Sequence, residues 1–160
     1  MLFRSLLVIV SCLSVCASGA LMARSRSVDL PHRYQPSSQD RQLVQVENPV
    51  DGRIWSAWAF RSGSEYDIAL AVADENGVWS EPLFFGRDDG RDQVDPAFVI
   101  HESGSVLVAF VDLSAGQILL SAIAAGGQTW SRPLPVVAGP DLRSPSMLIL
   151  GDRLVLAFRD

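Results

Sequence analysis

From residue 42 onward the apolar positions come in short runs, each closed by Gly, Pro, Asn, Asp or Ser. None keeps a helical period, so the pattern predicts strands joined by tight turns. A first group of runs covers residues 42–46, 53–60, 67–73 and 79–85. A second covers 97–101, 106–111, 117–123 and 130–137, and a third begins with 146–150 and 153–158. The second run of each group is the most apolar. In Val106-Leu107-Val108-Ala109-Phe110 both alternating sets are hydrophobic, as expected of a strand with neither face left to water. Ile68-Ala69-Leu70-Ala71-Val72 alternates large with small, which suits closely stacked sheets.

The groups are copies of one another. Gly52-Arg53-Ile54-Trp55-Ser56-Ala57-Trp58 recurs as Gly104-Ser105-Val106-Leu107-Val108-Ala109-Phe110, and again as Asp152-Arg153-Leu154-Val155-Leu156-Ala157-Phe158. Ala57, Ala109 and Ala157 are 52 and 48 residues apart, and Trp79-Ser80-Glu81-Pro82 returns as Trp130-Ser131-Arg132-Pro133. A period of that length built from short strands predicts an all-β, β-propeller-like array. Its four-stranded blades are expected at about 42–86 and 96–138, with a partial one at 145–160, or two and a half in all. A ring closes with at least about four blades. The expectation is therefore a truncated ring, an open stack, or self-association through uncovered edges and faces.

The turns ahead of Trp79 and Trp130 resemble the Asp-box, or bacterial neuraminidase repeat, with its pattern Ser-x-Asp-x-Gly-x-Thr-Trp. Gly127, Thr129 and Trp130 match in the second repeat, where Ala125 stands at the Asp position and Ile123 at the Ser position. Asp74 and Trp79 match in the first. There Asn76 stands at the Gly position with Gly77 just after it, and Val78 replaces Thr. Kelch repeats have a similar period but place their Gly pair far ahead of the Trp, whereas Gly126-Gly127 almost adjoins Trp130. The resemblance is to the sialidase-like β-propeller superfamily and covers residues 42–160. It implies a structural role for Asp74, Gly77, Trp79, Gly127, Thr129 and Trp130. The carboxylate takes hydrogen bonds from turn amides, Gly supplies positive φ, and Trp packs the hairpin on its sheet.

Residues 1–23 read as an export signal: Arg4, an apolar run too short to span a membrane, then small residues before Leu21, with cleavage after Ala23 as the second choice. Cys12 and Cys16 both lie within it, and Ile9-Val10-Ser11-Cys12 resembles a lipobox, so lipidation of Cys12 is the alternative. Residues 24–41 form a polar arm with Pro31 and Pro36. The expected location is periplasmic or extracellular. A net charge of −5 with no lysine gives no sign of nucleic-acid binding.

In propellers of the type resembled, ligands bind on the face opposite the Asp-box turns. That assigns the expected loops 61–66, 86–95, 112–116 and 138–144, with the terminal 159–160, to the binding side. The candidate binding residues there are Arg61, Asp88, Asp89, Arg91, Asp92, Asp95, Asp112, Arg143 and Arg159. The acidic segment 86–95 departs from the Asp-x-Asp-x-Asp-Gly ladder of calcium loops. A solvated loop whose arginines compensate its carboxylates is preferred to a calcium site. The resemblance implies, for an active sialidase, three arginines gripping a carboxylate, a Tyr–Glu nucleophile pair and an Asp acid/base. No Phe/Tyr-Arg-Ile-Pro motif precedes the first repeat, and the tyrosines are Tyr34 and Tyr66 alone. No catalytic residue is assigned. His32 and His101 have no partner at metal-ligand spacing. Trp55, Trp58, Phe84, Phe85, Phe110 and Phe158 read as core, with Trp55 open to a sugar-stacking role. The expected function is an exported, non-catalytic propeller module binding a glycan or a protein in the cell envelope. The alternatives are a partial exo-sialidase whose catalytic blades are missing or supplied by another chain, and a truncated remnant.

Overall fold

The computed structural model describes residues 8–11 and 41–160 apart from Asp88, with side chains described from residue 42. The described residues contain strands and turns and no helix. The strands are β1 (Val8–Ser11), β2 (Arg41–Glu47), β3 (Ile54–Ser62), β4 (Glu65–Ala73), β5 (Leu83–Phe85), β6 (Gln93–Ile100), β7 (Val106–Asp112), β8 (Gln117–Ile123), β9 (Leu134–Ala138), β10 (Arg143–Leu150) and β11 (Arg153–Arg159). They form three antiparallel sheets, none closed on itself. The first runs β2-β3-β4-β5, the second β6-β7-β8-β9 and the third β1-β11-β10. The sequence repeat is thus a repeat of sheets. Its third member gains a strand from residues 8–11, inside the segment read as an export signal. The rest of residues 1–40, including Cys12, Cys16 and most of the arm, lies outside the described residues.

The repeated alanines occupy one place in each sheet: Ala57 opposite Val44, Ala109 opposite Ala97 and Ala157 opposite Ser146. Alternation puts Ala57 and Ala109 on the face turned toward the next sheet, leaves Ala157 exposed on the corresponding face of the third, and puts Trp58, Phe110 and Phe158 on the other face. Small side chains on one face and large ones on the next let stacked sheets approach closely. Phe110 reaches back to Phe85 of the first sheet at 4.8 Å between ring centroids, and Phe85 also meets Trp130 edge-on at 5.5 Å. The main core joins Ala57, Ala59, Ile68 and Leu70 to Val108, Phe110 and Ile118 and on to Leu156 and Phe158. Apolar side chains thus make up the packing at both junctions between sheets. Burying a side chain the size of Phe110 contributes about 1.5–3 kcal/mol. A smaller cluster, Ile54, Trp58, Ala69, Ala71, Ala73 and Trp79, lies on the far face of the first sheet. The second and third sheets stack through β10 on β6 and β7, and the first sheet packs on β6.

Two boundaries differ from the sequence expectation, each for a backbone reason. The last strand of each complete sheet starts at Leu83 or Leu134, later than expected, and Trp79 and Trp130 form only isolated bridges to Ala73 and Ile123. Pro82 and Pro133 have no N–H to give a ladder. The intervening serines complete it: Ser80 N and Ser131 N donate to Val72 O and Ala122 O at 2.8 and 2.7 Å. Their hydroxyls in turn accept from Val72 N and Ala122 N at 3.1 and 2.9 Å. That pairing accounts for the Trp-Ser-x-Pro echo. The inner strands start earlier than expected because pairing resumes beyond a bulge, at Arg41 opposite Ala59, Val94 opposite Val111 and Arg143 opposite Arg159.

Candidate functional site

The turns before the two tryptophans lie at one end of the strands. In the first, Asp74 Oδ1 accepts from the backbone N–H groups of Asn76 and Val78 at 2.9 and 2.8 Å, and Gly77 holds φ +78°. In the second, Ala125 offers no such acceptor. The positive φ falls on Gly126, at +68°, and not on Gly127. Gly127 is required for another reason: a Cβ there would crowd Ala124 O at 3.0 Å. Trp79 is buried in the small cluster, whereas Trp130 packs on the edge of the main core and Thr129 is exposed.

The opposite end carries the charged candidates. Five of them sit in strands, not loops: Arg61 in β3, Asp95 in β6, Asp112 at the end of β7, Arg143 at the start of β10 and Arg159 in β11. Asp88 lies outside the described residues. Segment 86–95 is tied into the protein on both sides. Asp92 Oδ1 accepts from Tyr66 N at 3.0 Å, and Asp92 N donates to Ser114 Oγ at 3.0 Å. Glu65 Oε2 accepts from Gly90 N at 3.2 Å. Arg91 pairs with fully buried Asp112 at 3.2 Å, whose other oxygen accepts from Ala115 N at 2.9 Å. Asp89 accepts from its neighbour Arg91 N and from buried Gln93 Nε2, at 3.0 and 2.9 Å. Asp89, Asp92 and Asp95 therefore turn to different partners. Among the described residues no group of three or more His, Cys, Asp or Glu side chains is placed to hold a metal ion. The segment clasps the β3–β4 and β7–β8 hairpin ends together.

The second junction is built differently. After Ala138 the chain needs only residues 139–141 before buried Leu142, where the first junction uses 86–92 before buried Gln93. Beside this linker lies a cavity of about 200 Å³, lined by Val111, Leu113, Gly116, Gly139, Pro140, Leu142 and Arg143. Arg143 is half-buried and donates from one guanidinium nitrogen to Leu142 O at 2.7 Å. Its cross-strand neighbour is Arg159, exposed. Among the described residues neither has a carboxylate partner. The counterparts of Arg159 in the earlier repeats are apolar, Ala59 on β3 and Val111 on β7. Facing like charges disfavour a strand pair, so this is a local departure from the repeat beside the cavity. Arg61, by contrast, bonds Gly63 O at 3.1 Å within its own hairpin.

Tyr66 is half-buried and packs on the main core, as does Trp55. His101 holds a turn, with Nδ1 2.9 Å from Ser103 Oγ; His32 lies outside the described residues. Sequence reading missed Gln93, Leu142 and the cavity. Both residues precede the aligned segments Val94-Asp95-Pro96 and Arg143-Ser144-Pro145, a weaker echo than the tryptophan one but a usable one. No family model matches the chain, and no curated protein matches its sequence. No helix among the described residues is long and apolar enough to cross a membrane.

Proposed function

We propose that this chain is an exported, non-catalytic binding module of sialidase-like β-propeller type, and that it takes an acidic glycan at the loop end of its second junction. The observation that carries the reading is Arg143, which lines the 200 Å³ cavity and has Arg159 opposite it on the neighbouring strand, neither with a carboxylate partner among the described residues. Guanidinium forks match carboxylates in geometry and charge. The cavity is smaller than the roughly 300–1,000 Å³ of sites for drug-sized molecules, so it suits one acidic sugar and not a long chain. The segment richest in charge, 86–95, is engaged in holding hairpins together and is left out of the proposed site. Similarity of turn chemistry and repeat period supports the propeller reading; three stacked four-stranded or three-stranded sheets are compatible with it.

Titration calorimetry with free sialic acid and with neutral and acidic oligosaccharides tests the reading. Binding of an acidic sugar, weakened about tenfold or more by Arg143→Ala/Arg159→Ala, is the expected result. Absence of binding, or binding indifferent to both arginines, overturns it. Turnover of a fluorogenic sialoside by the chain alone would replace it with the exo-sialidase reading. Tyr66, packed on the core, is poorly placed for the nucleophile that reading needs.

A further inference from the structure

We propose that Gln42, Asp95 and Ser144 form a hydrogen-bonded relay running from sheet to sheet, and that through it Asp95 is the positioning residue of the junction cavity. These three are the non-glycine residues of positive φ among the described residues, at 56°, 54° and 49°. They stand 53 and 49 residues apart (95 − 42 and 144 − 95), the spacing of the repeat itself. Each occupies the same bulge, between Arg41 and Val44, between Val94 and Ala97, and between Arg143 and Ser146. A bulge leaves backbone N–H groups without a ladder partner. Here the N–H is passed to the preceding sheet: Asp95 N donates to Gln42 Oε1 at 2.7 Å, and Ser144 N donates to Asp95 Oδ2 at 2.8 Å. The next residue in the second and third bulges is Pro96 or Pro145, which has no N–H to strand. In the first bulge it is Leu43, which is exposed.

Left-handed backbone at non-glycine residues persists only where the surroundings hold it, and it is a pointer to function. Asp95 is only 6 % exposed, so water does not readily replace it as acceptor. Ser144 follows Leu142 and Arg143, both walls of the cavity. Fixing the Ser144 N–H to the second sheet therefore fixes the start of β10, and with it the guanidinium of Arg143 relative to Val111 and Leu113. Gln42 holds Asp95 from the first sheet in the same way, which ties all three sheets to the placement of one cavity wall.

The test is amide hydrogen exchange by NMR on the full chain, with Arg143 Nε–H as a second signal. Asp95→Ala is expected to speed exchange at Ser144 by about tenfold or more and to shift the Arg143 signal. Asp95→Asn, which keeps an acceptor oxygen, leaves both near wild type. Gln42→Ala, at an exposed side chain, speeds exchange at Asp95 and serves as the deciding variant if Asp95→Ala does not fold. Unchanged exchange at Ser144 in Asp95→Ala, or at Asp95 in Gln42→Ala, overturns the relay. The ligand arm rests on the binding reading proposed above: sialic acid affinity should fall about tenfold in Asp95→Ala and hold in Asp95→Asn. Retained affinity in Asp95→Ala overturns the positioning role. If wild type binds no sugar, the binding reading falls, and the amide and Arg143 signals still decide the relay.

Discussion

The two sheet junctions are made from the same repeat and finished in opposite ways. At the first, a longer connection hydrogen-bonds to both neighbouring hairpins, the buried amide of Gln93 packs against Gly86, and Arg91 pairs with buried Asp112. At the second, a cavity lies beside the shorter linker, Leu142 replaces Gln93, and two arginines stand without an acid among the described residues. The strand cores beneath are alike. What differs is the length and chemistry of the connection, so structural polarity collects at one junction and free charge at the other.

The largest effect should come from the shared core. Phe110→Ala, at the fully buried first junction, is expected to lose about 3–5 kcal/mol in urea unfolding. Phe158→Ala, its repeat counterpart at the less enclosed second junction, should lose less. Equal losses would mean that the junctions do not differ in packing. Next in size is the matched glycine pair. Gly86 holds φ +81° and a Cβ would overlap the Gln93 amide, whereas a Cβ on Gly139 meets Leu142 at ordinary contact, 3.5–3.9 Å. Gly86→Ala should cost about 2–3 kcal/mol and Gly139→Ala within about 0.5 kcal/mol of nothing. A tolerated Gly86→Ala would break the picture of Gln93 packed against Gly86 at the first junction.

Arg91→Ala removes one partner of a buried carboxylate, but the guanidinium is 56 % exposed and well screened. A loss of about 1 kcal/mol is expected. Arg143→Ala should leave stability unchanged, and thermal melts of the two variants side by side decide it. Smallest is a position outside both junctions. Burial pushes the Asp51 carboxyl up, but the hydrogen bonds and charge of Arg53, at 2.6–3.0 Å, outweigh it and leave the pKa below the ordinary 3.8. A depressed folded-state pKa gives stability that is full above the unfolded value and lost as pH falls through the folded one. Asp51→Asn should therefore cost well under about 1 kcal/mol at pH 7 and nothing near pH 2. A pH-independent cost would point to the turn geometry instead of the charge.

Much of the fold was legible because it repeats. The alanines at 57, 109 and 157 mark one register position in three sheets, and Trp-Ser-x-Pro marks the place where a serine hydroxyl completes a ladder broken by proline. The candidate site was legible only in part. Arg143 and Arg159 were visible as charges expected outside the strands, but not as cross-strand neighbours, since that depends on pairing that resumes beyond a bulge. Segment 86–95 stood out by composition and proved to be occupied with Tyr66, Glu65, Ser114 and Asp112, residues up to 26 positions away.

The amino-acid sequence by itself determined the strand class, the period and the turn chemistry. Those follow from local alternation, from glycine and proline at fixed places, and from short-range hydrogen bonds. Only the tertiary structure decided which N–H of one sheet meets which acceptor of the last, that Val8–Ser11 pairs with β11, and that a space lies beside Arg143. These depend on distances between residues about 30 or more apart in the chain, set by how the sheets stack and not by any residue's own preference.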